Sequence, residues 1–469
     1  MAGLNQHDID FFVSVLGQDY VITDREKLHE NASDQTEDLV FFPDVVLLPG
    51  VTEEVSSIMR YCNEAGIIVT PRGAGTGLSG GALAICGGVS LDMRRFNRIL
   101  EIDTRNFQVT TEPGVITQVL QEEVRALGLM YPPDPASRGS CFIGGNVSEN
   151  SGGPRAVKYG VVKDYVLNLE IVLPSGEIMW TGANVLKNAT GYNLTQLIVG
   201  SEGTLAVITK VVLRLIPAVQ HDLLMLVPFR SAVQACEAVN AIFLKGHTPS
   251  ALEFMERDAI EWVMKFVNQT AVPLPDDVQA HLLIEVDGNE PEQLYRDMEA
   301  ISEIVTGFDT GEILFADSHE QKQMLWNLRR KVGEAVKSNS VYKEEDTVVP
   351  RAQLPLLLKI IKEIGARYGF HSVCYGHAGD GNLHVNIVKQ GMSDEAWQHE
   401  LPKGIRELFR EVVRLGGTIS GEHGIGLVQK EYMDVAFTTA QLNLMRDIKR
   451  VFDPKGILNP GKIFPDQVL

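Results

Sequence analysis

Residues 71–81 read Pro71-Arg72-Gly73-Ala74-Gly75-Thr76-Gly77-Leu78-Ser79-Gly80-Gly81, with five glycines in the nine positions from Gly73. Gly75, Gly77 and Gly80 match the GxGxxG spacing of a dinucleotide loop. Such a loop must open directly into a helix whose N-terminus faces the pyrophosphate. Here the chain continues through Ala82-Leu83-Ala84-Ile85-Cys86 to Gly87-Gly88 and then Val89-Ser90-Leu91. That is a poor helix and a good turn followed by a strand. The context excludes a nicotinamide-binding βαβ unit. The loop still has a chemical logic: many backbone N–H groups with little side-chain bulk form an anion-binding nest. Thr76 and Ser79 add hydroxyl donors. A purely structural turn is the weaker alternative, because every glycine loses backbone entropy on ordering.

Outward from this loop, residues 44–49, 51–66 and 67–73 predict strand, helix and strand. Short strands punctuated by Gly, Pro and Asn follow at 87–93, 99–114, 167–180 and 204–217. These patterns place an N-terminal helical segment at 1–40 and a first domain at 41–217. A second domain spans 218–445, and a segment at 446–469 returns to the first domain. In the second domain, long helices (231–246, 291–308, 354–369) alternate with strands (223–229, 280–288, 371–377, 383–388). The expected class is α+β, with an antiparallel sheet in the second domain carrying helices on one face.

The 469 residues are 44% hydrophobic and 22% charged, which suits a globular protein of several domains. No apolar run reaches about eighteen residues, so no membrane span is expected. The N-terminus lacks the basic and apolar regions of a secretion signal, and a cytoplasmic location is expected. A net charge of −19 repels phosphate backbones and anionic lipid, which argues against nucleic acid as a partner. Cys62, Cys86, Cys141, Cys236 and Cys374 show no CxxC or metal-finger spacing. They read as free thiols of a reducing compartment, and closely spaced iron–sulfur ligands are excluded.

Most histidines carry no motif, but His377, His384 and His423 do. Asp380-Gly381 marks a tight reversal. His377 therefore ends one strand and His384 begins the next, so the two rings can converge. Asn386 shares the face of His384. Residues 420–426 form a second glycine-flanked loop that carries Glu422 and His423. Two imidazoles and a carboxylate suit zinc or manganese with positions left for substrate. A hydrogen-bonded histidine pair bracing a turn is the alternative.

The loop at 71–82 resembles the pyrophosphate loop of the vanillyl-alcohol-oxidase-type (PCMH-type) FAD-binding fold. Within that fold it is most similar to the group of glycolate oxidase flavin subunits, D-lactate dehydrogenases and D-2-hydroxyglutarate dehydrogenases. Residues 131–160, 188–209 and 453–464 carry three further motifs of the group in the same order. The resemblance runs from about residue 40 to the end. It implies a two-subdomain FAD-binding domain plus a cap domain. It sets Arg72, Gly73, Ala74, Gly75, Thr76, Gly77, Ser79 and Gly80 around the pyrophosphate. Pro135, Ser137, Gly144, Gly145, Asn150 and Gly153 line the isoalloxazine side, though these glycines also read as turn residues. Glu202, Gly203 and Ile208 lie along the ribityl and adenine side, and Asn459 closes over the flavin. No histidine lies between His29 and His221, so a histidyl flavin link from this domain is excluded and non-covalent FAD is expected.

The same resemblance assigns His377, His384 and Glu422 as metal ligands and His423 as the catalytic base. Trp326-Asn327-Leu328-Arg329 resembles the group's WxxR element, whose arginine forks onto the substrate carboxylate. An ion pair on an exposed helix is the alternative for Arg329. Asn386 and Lys343 complete the expected substrate set. The hydroxyglutarate-specific members carry a Thr and a Lys nearby. Gly333 stands at the first position here, and at the second Lys343 fits only with a gap, whereas an ungapped reading places Glu344.

The expected activity is oxidation of a D-2-hydroxy acid (D-lactate, glycolate or D-2-hydroxyglutarate class) to the 2-oxo acid. The metal acidifies the hydroxyl, His423 takes its proton and the flavin receives hydride. A sugar-acid or alcohol oxidoreductase on the same fold is the nearest rival. A metal-dependent hydrolase and a non-catalytic flavin subunit are more distant ones. Expected partners are a protein or quinone electron acceptor, such as an iron–sulfur subunit or an electron-transfer flavoprotein, and a second copy in a homodimer.

Overall fold

The computed structural model describes residues 4–36, 38–268 and 272–466. The chain divides into two compact units. One comprises residues 1–151, 161–218 and 422–469, and the other 152–160 and 219–421. The C-terminal segment of the first unit thus begins at Glu422, where the sequence pattern placed a boundary at 446.

The first unit contains two main sheets. In the smaller one the strands run Val21–Ile22, Val45–Leu47, Val89–Asp92, Val69–Arg72, with the last three parallel. The helix Thr52–Ala65 connects two of them. Val55, Ile58, Met59 and Cys62 recur at helical spacing and are buried. The glycine loop leaves the end of Val69–Arg72 and reaches the Val89–Asp92 strand without an intervening helix. The C-terminal tail joins this sheet: Val69 donates its N–H to Ile457 O and Asn459 donates to Val69 O, both at 2.8 Å. The larger sheet is antiparallel, in the order Ile99–Asp103, Gln108–Thr111, Val207–Arg214, Val166–Val172, Ile178–Trp180. Each sheet has its own buried core.

The second unit is built on a seven-stranded, wholly antiparallel sheet. Its order is Leu314–Phe315, His221–Phe229, Ala280–Gly288, Ala251–Glu256, His371–Gly376, Asn382–Val388, Tyr342–Val348. The expectation of helices on one face is corrected. Helix Leu354–Tyr368 covers one face, where its Lys362 Nζ lies 3.9 Å from Cys374 Sγ. On the opposite face, Leu283, Met255, Val373 and Tyr375 share a core with Ile260 and Val263, Leu325 and Leu328, and Val332 and Val336. These belong to helices Arg257–Phe266, His319–Arg330 and Val332–Asn339. The apolar part of that face needed this cover, and the same face turns polar toward Glu253, His384 and Asn386.

Candidate active site

Arg72 ends its strand buried, and its Nη2 donates to Ser33 O (2.8 Å) and Glu30 O (3.2 Å). A Cβ at Gly75, where φ is +70°, would meet this guanidinium at 2.3 Å. Gly144 is likewise demanded by the fold, since a Cβ there would sit 2.4 Å from Pro113 Cβ. Gly77 and Gly145 differ: among the described residues, a Cβ at either meets nothing within 4 Å, and neither has a positive φ. Gly73 makes only ordinary contacts, and its nearest neighbour is Gly145 Cα at 3.8 Å. Neither crowding nor backbone strain among the described residues therefore demands glycine at 77 and 145.

The rest of this surface is braced from behind. Lys462 Nζ donates to the carbonyls of Gly80 (2.5 Å), Leu83 (2.8 Å) and Gly81 (3.3 Å). Asn459 Nδ2 donates to Gly81 O and Glu202 O. Burial lowers the Lys462 ammonium to about 8. Glu202, in a left-handed conformation (φ +52°), accepts the N–H groups of Ile425 (2.9 Å) and Gly426 (2.6 Å). The loop carrying His423 is thereby clamped to the Glu202 turn. Leu427 N–H adds a bond to Ser79 O. Glu149 is half-buried with its carboxyl turned inward beside Glu202, and desolvation of that carboxyl first, then the Glu202 charge, raises it well above the usual range.

The other expected positions are placed as follows. Ala74 and Thr76 lie in the same loop, half-buried. Pro135 and Ser137 lie in a turn that accepts the Arg138 and Cys141 N–H groups. Asn150 caps helix Ile143–Glu149 and accepts from Lys163 N–H. Gly203 follows Glu202 in the same turn, and Ile208 packs into the core of the larger sheet. Gly153 falls in the 152–160 segment, which belongs to the second unit.

In the second unit the candidate residues occupy a polar patch on the sheet face whose apolar part carries Met255, Val373 and Tyr375. The hairpin turn after Gly376 brings His377 and His384 edge to face, 5.4 Å between centroids, and both are buried. His377 Nδ1 lies 2.9 Å from both oxygens of Glu253, itself fully buried. Arg329 Nε lies 2.7 Å from the same carboxylate, and its guanidinium stands 5.0 Å over the Tyr375 ring. Arg329 is buried, which removes the exposed-helix alternative. Asn386 is fully buried, and Tyr375 packs against His384 at 5.2 Å. Strand register sets Asp346 opposite His384 and Glu344 opposite Asn386. Lys343 pairs with Ile387, so alternation turns it away from this face, and it is exposed. Asp346 accepts from Gly421 N–H (2.8 Å), the residue before Glu422, and from Asn382 Nδ2 (2.6 Å).

Sequence reasoning overlooked Glu253, Tyr375 and Asp346. The signal for Glu253 was present: a carboxylate between Leu252 and Phe254 in the middle of a largely apolar strand. A charge in such a position needs a partner.

Residues 219–463 match the family described as FAD linked oxidases, C-terminal domain, and residues 43–182 match the FAD binding domain. The chain is 38% identical over 425 residues to D-lactate dehydrogenase of Anaerostipes hadrus, spanning 90% of this chain and 89% of the relative. This chain belongs to the FAD-linked oxidase family. It is also 37% identical over 434 residues to the glycolate oxidase subunit GlcD of Bacillus subtilis (strain 168), spanning 92% and 91%. The solved structure of p-cresol methylhydroxylase with substrate bound superposes with a TM-score of 0.80 at 18% identity, covering 99% of this chain and 98% of the other. That similarity confirms the PCMH-type fold.

As an FAD-linked oxidoreductase the protein must hold a flavin dinucleotide, and the first unit fits one. Beside the glycine loop, Arg72 Nη1, Ser79 Oγ, Glu149 Oε2 and Asn459 Oδ1 are buried without a hydrogen-bond partner among the described residues. Polar atoms buried in this way call for a polar ligand. The second unit fits a small acid as well, with Arg329 Nη2 similarly unpaired among the described residues. The donor set of His377 and His384 suits a divalent ion. Among the described residues, no helix of this oxidoreductase is long and apolar enough to cross a membrane.

Proposed function

We propose that the protein oxidises a short D-2-hydroxy acid, of the D-lactate or glycolate class, to the 2-oxo acid. The observation that carries the reading is the clustering of Arg329, from helix His319–Arg330, with His377, His384 and Asn386 around one polar patch of the sheet. When bound, FAD accepts the hydride at N5 and a divalent ion, zinc or manganese, supplies Lewis-acid chemistry. Arg329 binds the substrate carboxylate through a planar fork, a role its burial and rigid ion pair favour. Asn386 orients the substrate by donating from its amide. His423 removes the hydroxyl proton, in the pH range where a neutral imidazole is an effective base. His377, His384 and Glu422 are the proposed ligands of the ion. The proposed cofactor residues are drawn from the larger set that the resemblance implies: residues 72–77, Ser79 and Gly80, with Pro135, Ser137, Gly145, Asn150, Glu202, Gly203 and Asn459; Gly144 is held by Pro113 and Ile208 by the core of its sheet.

Glu344 and Asp346 on the same face support a monocarboxylate over a dicarboxylate, because a second substrate carboxylate would meet like charge. Electrons leave to a protein or quinone acceptor, an iron–sulfur subunit or an electron-transfer flavoprotein being suitable.

Anaerobic mixing of the holoenzyme with D- and L-lactate, glycolate and D-2-hydroxyglutarate tests the proposal. The flavin band near ~450 nm, characteristic of the oxidised cofactor, should bleach with D-lactate or glycolate. It should persist with L-lactate. Bleaching by no D-2-hydroxy acid overturns the reading.

A further inference from the structure

We infer that Glu253 is the positioning residue that couples the proposed metal ligand His377 to the substrate-binding arginine; this deepens the function proposed above and rests on it. Glu253 sits mid-strand in Ala251–Glu256 and is fully buried, with a side chain wholly removed from solvent. A carboxylate in that position persists only if it is paired, because removing a lone charge from water costs several kcal/mol or more. It has two partners, and both are functional candidates. Both of its oxygens lie 2.9 Å from His377 Nδ1. Its Oε2 also lies 2.7 Å from Arg329 Nε.

The chemistry of this sharing is directional. An ionised carboxylate only accepts hydrogen bonds, so the imidazole must donate from Nδ1. The proton is thereby fixed on Nδ1, and Nε2 is left with its lone pair as the ligating atom. The same carboxylate lies in ion-pair contact with the guanidinium on its Nε side, while Nη2 is buried without a hydrogen-bond partner among the described residues and is open to a substrate carboxylate. One buried anion therefore sets the histidine tautomer and aims the arginine. It also offsets part of the positive charge that the ion and Arg329 would otherwise concentrate before substrate arrives. Glu285, two registers away on the neighbouring strand, shows the contrast. Its carboxylate bonds Ser250 Oγ, Trp326 Nε1 and Arg155, none of them a site residue.

The test uses the FAD-loaded protein stripped of metal and titrated with Zn2+ against a chromophoric chelator. Co2+ provides a second probe through its visible ligand-field bands. In Glu253→Gln the Zn2+ affinity should fall 10- to 100-fold, the usual loss when such a partner of a ligating histidine is removed. The Co2+ bands should shift and KM for D-lactate should rise, while flavin content stays unchanged. Glu253→Asp, which keeps the charge one methylene shorter, should fall between wild type and Gln in both affinity and KM. It carries the same test if the Gln variant does not fold. A Gln variant with Zn2+ affinity within about twofold of wild type and unaltered Co2+ bands overturns the inference. His377→Ala separates this from failure of the underlying reading. If His377→Ala loses Zn2+ and Glu253→Gln does not, only the inference falls. If the wild type itself binds neither ion, the metal reading and the inference fall together.

Discussion

Gly144 lies against Pro113 so closely that a Cβ on it would stand 2.4 Å from Pro113 Cβ, while its neighbour Gly145 has no such constraint among the described residues. Two adjacent glycines thus have different reasons to be glycine. Gly144→Ala should destabilise the flavin-free protein by about 1–3 kcal/mol, as overpacking does. Gly145→Ala and Gly77→Ala should leave the apoprotein melting temperature unchanged and lower FAD occupancy. Differential scanning fluorimetry with and without added FAD checks both halves. Equal destabilisation of all three apoproteins would remove the distinction.

Arg329 carries the proposed carboxylate contact from a buried position. Arg329→Met should reduce kcat/KM for D-lactate by roughly 100-fold or more, about 3 kcal/mol for a charge-assisted pair. Arg329→Lys should recover little of this, because an ammonium lacks the planar fork. Steady-state kinetics with an artificial acceptor reads the effect. Recovery of near wild-type kcat/KM by lysine would argue for a simple charge requirement.

Chelator treatment should abolish turnover without releasing flavin, and Zn2+ or Mn2+ should restore it. The oxidised flavin spectrum monitors cofactor retention through the cycle. Full activity after exhaustive chelation would favour the metal-free sugar-acid or alcohol oxidoreductase reading.

Lys343 is turned away from the polar face and Glu344 toward it. Lys343→Ala should leave the substrate profile unchanged. Glu344→Gln should raise the kcat/KM ratio of D-2-hydroxyglutarate to D-lactate, by removing a like charge. The profile of each variant over the two substrates decides this. A large loss in Lys343→Ala confined to hydroxyglutarate would restore Lys343 as a distal contact.

Glu149 gives a pH dependence of known sign. Its carboxyl is raised by burial and by the Glu202 charge, so the folded protein keeps a proton that the unfolded chain releases near the ordinary value of 4.5. Its contribution to stability is therefore intact below that pH and is lost as pH climbs toward the folded value. Glu149→Gln removes the dependence. Its melting temperature should match wild type at low pH and exceed it increasingly as the medium is made alkaline. A constant offset between the two proteins across pH would contradict this origin.

Much of the chemistry was legible in the chain itself. The glycines after Gly80 argued against a Rossmann helix, and the strand at Val89–Asp92 follows the loop without one. Asp380-Gly381 announced the hairpin, and Gly381 turns there with φ +88°. Local backbone preference and residue period decide such features within a few residues. Glu253 was not legible because its meaning depends on two partners far along the chain, His377 and Arg329. Lys343 was ambiguous because a single-residue slip exchanges the faces of a strand, and only pairing with Asn382–Val388 fixes the register.

The sequence alone therefore determined the glycine loop, the hairpin histidines and the α+β class. These follow from backbone permissiveness, turn chemistry and composition. Tertiary structure decided which glycines the fold demands, and which charge on the Tyr342–Val348 strand shares the face of His384 and Asn386. It also decided that a buried glutamate sits between the histidine and the arginine. Those are matters of non-local contact and burial, which set the charge, tautomer and aim of a side chain and leave little trace in the residues beside it.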